Sequence, residues 1–392
     1  MPEVAYLDHA ATTPLRPEAL AAMTPYLTEV FGNPSGMHSV ARAAKTGLEI
    51  AREEVAAGLG GAPSEVVFTG GGTEADNLAV LGAAHAAGSR GHRRVVTTAF
   101  EHKGVLAPAA RLAGEGADVV YVGVGADGIV DLDRLADALD PSTVLVSVML
   151  VNNEVGTIQP LDAVAALVRE RVPEAILHTD AVQAVPWLPV AELTAPADLV
   201  SVSAHKFGGP KGVGALVVRS GIPLEARAIG GGQERGLRSG TVNVAGVVGM
   251  AAALCLTTEH RAADVARVTA LRDRLAAGLD LIDGVHVHGD RTRAVAGNHH
   301  VRFDGVAAEA LLVALDHEGV CAAAGSSCAS GAAEPSHVLT AMGLTRDQAR
   351  AAVRFSLGAT STDDDVDRAL EVVPRAVEQL RGRARQPARV SR

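Results

Sequence analysis

Residues 66–77 read VVFTGGGTEADN. Val66, Val67 and Phe68 favour a strand, three successive glycines break it, and a helix-forming, Ala- and Leu-rich run opens at Thr73 and extends to about residue 87. Strand, tight bend and helix in this order form the building unit of a parallel α/β sheet. Glycines let the backbone approach a ligand closely, and the free N–H groups at a helix start hold an anion, with the Thr73 hydroxyl as a further donor. The pattern is neither G-x-G-x-x-G nor a P-loop, because no Gly-Lys-Ser/Thr follows. Taken alone, it serves equally as a helix cap or as a phosphate cradle.

The same rhythm continues outward. Strand patterns at residues 94–97, 119–122, 144–150, 176–179, 199–203 and 214–219 alternate with helical runs such as 105–112, which predicts parallel units with both sheet faces covered. After about Glu259 the spacing changes. Helices at 265–278 and 307–318 and strands at 285–288, 299–303 and 353–357 indicate a smaller α+β part.

The chain has 392 residues, a net charge of −10, 48% hydrophobic and 20% charged residues, which suits two or three domains with a large core. Its 42 glycines are clustered without a repeat, excluding a collagen-like chain. The acidic balance argues against nucleic acid or an anionic membrane as the main partner. Cys255, Cys321 and Cys328 are too few for a disulfide framework and suit a reducing compartment. The opening MPEVAYLDHAATTP has no signal-peptide pattern, and the longest apolar run, 242–256, is short for a membrane span and contains Asn and Gly. A cytoplasmic protein is expected, with the basic end RGRARQPARVSR read as a solvated tail.

Three further features carry chemistry. His178-Thr179-Asp180-Ala181-Val182-Gln183 stands at the carboxyl end of a strand, the edge where open α/β sheets gather ligands, and Asp180 is the right anion for a cationic ring nitrogen. Ser203-Ala204-His205-Lys206 ends the next strand. A lysine there, beside a histidine and before a glycine-rich bend, suits a Schiff-base nucleophile better than a packing position, with Lys211 as the nearby competitor. Glu101-His102-Lys103, just past another strand, supplies an imidazole. An anion cradle, a carboxylate for a ring nitrogen and a Schiff-base lysine together meet the requirements of pyridoxal phosphate.

With these residues goes a resemblance. The motifs at 6–13 (YLDHAATT), 31–35 (FGNPS), 70–77, 101–103, 151–156 (VNNEVG), 178–183, 203–206, 230–241 (GGGQERGLRSGT), 325–330 (GSSCAS) and 353–356 (VRFS) follow one another as in the cysteine desulfurases of the class V aminotransferase group. The resemblance implies the fold-type-I architecture: a mostly parallel seven-stranded sheet in a large domain, residues 16–258, and a small α+β domain, residues 1–15 and 259–392, that carries a catalytic cysteine loop. It implies that Lys206 bears the cofactor, Asp180 faces the ring nitrogen, Gln183 bonds the ring hydroxyl and His102 stacks and moves protons. Gly72, Thr73, Ser203 and His205 would hold the phosphate, and Thr241 would reach the active site of the partner in a homodimer. Asn153 and Arg354 would orient the substrate carboxylate; the planar arginine fork suits that task.

Cys328 is the discriminating residue. It sits in AGSSCASG, residues 324–331, a stretch of small residues expected to form a loop with a reachable thiol, whereas Cys255 and Cys321 read as core thiols. The Gly-Ser-Ser-Cys context resembles the longer-loop, iron–sulfur-type desulfurases, with Ser327 where alanine is common. The implied activity is conversion of L-cysteine to L-alanine with sulfur stored as a persulfide on Cys328. Sulfur then passes to an acceptor protein for iron–sulfur cluster assembly or tRNA or cofactor thiolation, with a transient iron–sulfur cluster at Cys328 among the partners the resemblance implies. A selenocysteine lyase, a class V aminotransferase and an inactive sulfur-transfer scaffold are the rival readings. His286, His288, His299 and His300 lack a cysteine or carboxylate set at zinc spacing, so no metal site is expected.

Overall fold

Strand Val66–Thr69 is buried over its whole length and passes through Gly70 and Gly71 into helix Gly72–Ala86, as residues 66–77 predict. The computed structural model describes residues 4–88, 93–324 and 335–384. Val66–Thr69 forms one edge of a seven-stranded sheet, followed in order by Gly214–Val218, Leu199–Ser203, Ile176–Asp180, Thr143–Ser147, Arg94–Thr98 and Asp118–Val122. The last five strands in that order pair in parallel. Gly214–Val218 runs against both its neighbours. Residues 204–213, which lead into it, hold only a three-residue 3-10 turn, and a parallel return needs a crossover of a dozen residues or more.

A second, antiparallel sheet has the order Ala323–Ala324, Ala352–Ser356, Asn298–Phe303, Val285–Val287. Its core gathers Leu271, Leu275, Phe303, Phe355 and Val372, separate from the core of the large sheet. The helix expected at 265–278 is the second half of a continuous helix, Val244–Leu279. Its first half buries Val247, Met250 and Leu254 in the large core, and its second half buries Leu271 and Leu275 in the small one. Cys255 is therefore not the core thiol its apolar neighbours suggest: Ala253 and Leu254 face inward, and Cys255 is exposed. Even this helix does not qualify as a span; no helix among the described residues is long and apolar enough to cross a membrane.

The loop that leads to Thr241 is anchored by a buried ion pair. Arg52, on helix Ser39–Leu59, donates to both carboxylate oxygens of Glu234 at 2.9 and 2.7 Å and lies 4.7 Å from the Phe68 ring centre. Glu234 also accepts the Phe68 N–H at 2.8 Å. Glu234 and Arg235 hold φ values of +47° and +57°, left-handed backbone that non-glycine residues adopt at a cost. Glu234→Ala removes the buried carboxylate from the Arg52 guanidinium, leaving it the half-exposed Glu49 at 3.4 Å and the Val66 carbonyl at 2.9 Å. We expect it to lower stability by about 3–5 kcal/mol, read from the denaturant midpoint.

Candidate active site

The carboxyl ends of the parallel strands open into a cavity of about 880 Å³. Ten of the residues singled out in the sequence line it: Gly72, Thr73, His102, Asn153, Asp180, Gln183, Ser203, His205, Lys206 and Arg354. They come from four strand ends, one helix start and the far strand Ala352–Ser356, so only the tertiary fold assembles them.

At one end lies the cradle. Gly71 has φ +142°, a backbone that favours glycine, and helix Gly72–Ala86 begins without a side-chain cap. A Cβ on Gly72 would stand 2.8 Å from Val182 Cγ2 and 3.3 Å from Ser203 Cβ, so only a bare backbone fits. Ser203 and His205 flank this start, and the His205 ring is held through Nδ1 to Thr12 Oγ1 at 3.0 Å. Open helix N–H groups with hydroxyls around them suit a phosphate.

At the floor, Asp180 is buried and accepts the Val182 N–H at 2.8 Å. Burial raises its carboxyl to about 6, while the Val182 bond and the Lys206 charge pull it back down. A carboxyl so placed is stabilised by a cationic partner in the cavity. Gln183 donates from Nε2 to the Ala10 carbonyl at 2.9 Å. Lys206 Nζ donates to the Ala10 and Ala11 carbonyls at 2.6 and 2.8 Å. The competitor Lys211 is exposed and does not line the cavity.

His102 caps helix Lys103–Gly114: its Nδ1 accepts the Gly104 N–H at 2.9 Å. Nδ1 therefore carries a lone pair and the ring proton sits on Nε2. Burial, then the charges of Lys206, His337 and Lys103, push this imidazole down to about 4. The ring is neutral near pH 7, a donor through Nε2–H rather than a readily protonated shuttle.

The opposite wall carries Arg354, 3% exposed, which donates through Nη1 to the Asn153 carbonyl at 2.8 Å and through Nη2 to Asp8 at 2.7 Å. Its Nε and the Asn153 Oδ1 are buried without a hydrogen-bond partner. Arg354 Nε–H can donate to a substrate carboxylate, and Asn153 Oδ1, an acceptor, can take an N–H of the substrate amine. A phosphate cradle, a buried carboxyl, an amine and a flat neutral ring around one cavity fit pyridoxal phosphate, and the unpaired Arg354 and Asn153 atoms fit an amino acid beside it.

Two of the singled-out residues stand apart. Thr241 is exposed on its loop and does not line this cavity, and Cys328 lies outside the described residues. The sequence gives no role to several groups that the structure brings in. Asp76 and Glu154 line the cavity, as does His337, whose Nε2 donates to the Glu101 carbonyl at 2.8 Å. Burial pushes Glu154 up to about 7 against the Ser336 hydroxyl, which donates to it at 2.5 Å. Asp76 and Glu101 lie within the 70–77 and 101–103 motifs, a visible signal; His337 has none beyond following Cys328 by nine residues.

Residues 5–369 match the aminotransferase class-V family. A cysteine desulfurase IscS of Methanosarcina thermophila is 42% identical over 376 residues, 96% of this chain and 92% of the relative. A cysteine desulfurase 1 of Trichormus variabilis is 43% identical over 379 residues, 96% of this chain and 94% of the relative. Among solved structures, a NifS-like protein superposes with a TM-score of 0.89 at 37% identity, covering 96% of this chain and 99% of that one. The chain belongs to the class-V aminotransferase family, a family of pyridoxal-phosphate enzymes that includes the cysteine desulfurases.

Proposed function

We propose that the chain is a pyridoxal-phosphate-dependent cysteine desulfurase that converts L-cysteine to L-alanine and carries the sulfur as a persulfide on Cys328. The observation that carries this reading is the convergence of Lys206, Asp180, His102 and the Gly72–Thr73 cradle with Arg354 and Asn153 on one cavity. The similarity to proteins named cysteine desulfurase, at 42% and 43% identity, supports it.

The Gly72 backbone, Thr73, Ser203 and His205 would hold the cofactor's phosphate, Asp180 its ring nitrogen, Gln183 its ring hydroxyl, His102 the ring face and Lys206 its aldehyde carbon. When bound, pyridoxal phosphate supplies a carbonyl that takes up the substrate amine and a ring that accepts the electron pair released at carbon. Arg354 and Asn153 hold the substrate carboxylate and so fix which Cα bond faces Lys206. Lys206 Nζ takes the Cα proton, and His102 donates from Nε2–H near the reacting atoms. The Cys328 thiolate forms an S–S bond to the substrate sulfur as the carbon–sulfur bond breaks. The sum is L-cysteine plus a thiol giving L-alanine plus a persulfide. An acceptor protein then takes the sulfur, for iron–sulfur assembly or for tRNA or cofactor thiolation.

We assign the active unit as a cytoplasmic homodimer in which Thr241 reaches the partner's phosphate site. We divide the chain into a large domain, 16–258, and a small one, 1–15 with 259–392. The separate clusters around Val247 and Met250 and around Leu271 and Phe303 support that division, while a smaller cluster of Phe100, Met149 and Val155 with Val338 and Leu339 joins the two parts.

The test is direct. Purified protein supplied with L-cysteine and a thiol reductant is expected to yield alanine and sulfide in equal amounts. Alanine formation only with a keto acid present identifies a transaminase instead, and turnover of selenocysteine alone identifies a lyase.

A further inference from the structure

Two acids of the cavity lining, Asp76 and Asp180, are buried near a third, Glu101. Asp76, Glu101 and Asp180 are 1%, 0% and 4% exposed. They come from helix Gly72–Ala86, from the segment after strand Arg94–Thr98 and from the end of strand Ile176–Asp180. Ionisable atoms of Asp76, Asp180 and His102 all lie within 4.8 Å of one another.

Among the described residues, acids and a hydroxyl act on the Asp76 carboxyl. On the strand Ile176–Asp180 the neighbours are Asp180 itself and His178, whose Nε2 is 3.7 Å from Asp76 Oδ1. The His178 ring lies between the Ser147 and Ser201 hydroxyls at 2.8 and 3.0 Å, and burial pushes it down to about 3. On the strand Leu199–Ser203 the neighbour is Ser201, hydrogen-bonded to Asp76. On the segment 101–104 it is Glu101, the neutral His102, and the Gly104 backbone, where an added Cβ would stand 2.6 Å from Asp76 Oδ2. The Lys206 charge acts on Asp180. Two adjacent carboxylates buried this deeply do not both ionise; one keeps a proton.

The surroundings decide which one. Asp180 has the Val182 N–H and Lys206 to favour its charge, and it ionises near 6. Burial and the neighbouring Asp180 hold Asp76 well above the usual carboxylate range, and burial lifts Glu101 to about 8. The Ser201 hydroxyl pulls the Asp76 carboxyl back down, a smaller effect than burial and the neighbouring Asp180, and Ser201 also lies 3.0 Å from His178 Nε2, whose Nδ1 is 2.8 Å from Ser147.

We propose that Asp76 is a proton-bearing partner of Asp180: a neutral carboxylic acid that leaves Asp180 as the negative charge which the floor offers to a cationic ring nitrogen. Asp76 is in this sense a positioning residue acting through Asp180. The inference rests on the cofactor reading given above, but its proton does not require the cofactor to be present.

Asp76→Asn replaces the acid with its neutral isostere. An acid raised by folding destabilises the native state as pH climbs from its unfolded value to its folded one. The apoprotein of Asp76→Asn should therefore match the wild type in melting temperature near about pH 4 and gain on it by several degrees as pH rises toward neutral. Its affinity for pyridoxal phosphate should stay within about twofold of wild type, since the charge at Asp180 is unchanged. In the infrared spectrum of wild-type apoprotein near neutral pH, a carboxylic-acid carbonyl band should shift when aspartate is labelled with carboxyl ¹³C, which separates it from Glu101, and should be absent from Asp76→Asn, which separates it from Asp180. The labelling step itself needs no variant to fold. No shift on labelling, a variant less stable at every pH, or a loss of cofactor affinity beyond about tenfold overturns the proposal. Asp180→Asn tests the underlying reading separately: if it retains full cofactor affinity, that reading fails, while the labelled band still decides whether Asp76 carries the proton.

Discussion

Lys206→Ala is expected to give a folded protein that keeps no visible band once unbound pyridoxal phosphate is removed and makes no alanine from L-cysteine. Lys206 ends the 3-10 turn Ala204–Lys206 that follows the buried strand Leu199–Ser203, so its backbone position is set by the sheet rather than by its own side chain. The side chain is half-buried, and its amine reaches two carbonyls, Ala10 and Ala11, that face an open cavity. With the amine gone, water in that cavity can solvate those carbonyls, so the stability cost is small. The functional cost is not. The same nitrogen is proposed to join the cofactor and to move the Cα proton, and losing both roles lowers turnover by more than about 10⁴-fold. Lys211 cannot substitute, being exposed and off the cavity. The measurements are the visible absorption spectrum, a melting curve and an alanine assay. A visible band that persists in Lys206→Ala, with turnover, would place the covalent attachment elsewhere.

The parts of this site that the sequence displays are those whose chemistry lives in short segments. Residues 66–77 show both the strand-to-helix turn and the anion cradle, because glycine at Gly71 and Gly72 is demanded by backbone angle and by space. Asp180 and Lys206 are visible because a charged residue at the end of an apolar strand has few structural uses. What stays hidden is main-chain and long-range. The carbonyls that receive Lys206 belong to two alanines, whose side chains say nothing about their oxygens. The Asp8–Arg354 ion pair joins positions 346 residues apart. The helix Val244–Leu279 reads as two pieces because its buried face changes core midway, so no single apolar stripe runs its length. His102 is legible as a site residue, but its neutral state is not, since that follows from the Gly104 N–H and from burial. The histidines His299 and His300, adjacent in sequence, are both buried, and His300 Nδ1 lies 3.0 Å from His288 Nδ1, a pairing set by the register of two strands.

Cys328→Ser should keep the visible band and cofactor affinity of the wild type yet lose alanine release from L-cysteine by at least about 100-fold. Serine preserves size and leaves the cradle, Asp180 and Lys206 untouched. Its hydroxyl ionises far less readily than a thiol, and an oxygen–sulfur bond to the substrate is no substitute for a persulfide. The chain on either side of residues 325–334 ends at the cavity wall. Ala323 and Ala324 pair with Arg354 and Val353, and beyond the segment Ser336 is bonded to Glu154 and His337 to the Glu101 carbonyl. Cys328 lies four residues past Ala324 in the sequence. The other two cysteines supply the control. Partial desolvation and nearby acids raise the thiols of Cys255, which is exposed, and of Cys321, which is half-buried, away from the reactive thiolate, and neither lines the cavity. Replacing either by serine should leave alanine and sulfide production at the wild-type rate. If Cys328→Ser releases alanine as fast as wild type while one of these controls stops it, the sulfur is carried by a different thiol and the role given to the 325–330 motif is wrong.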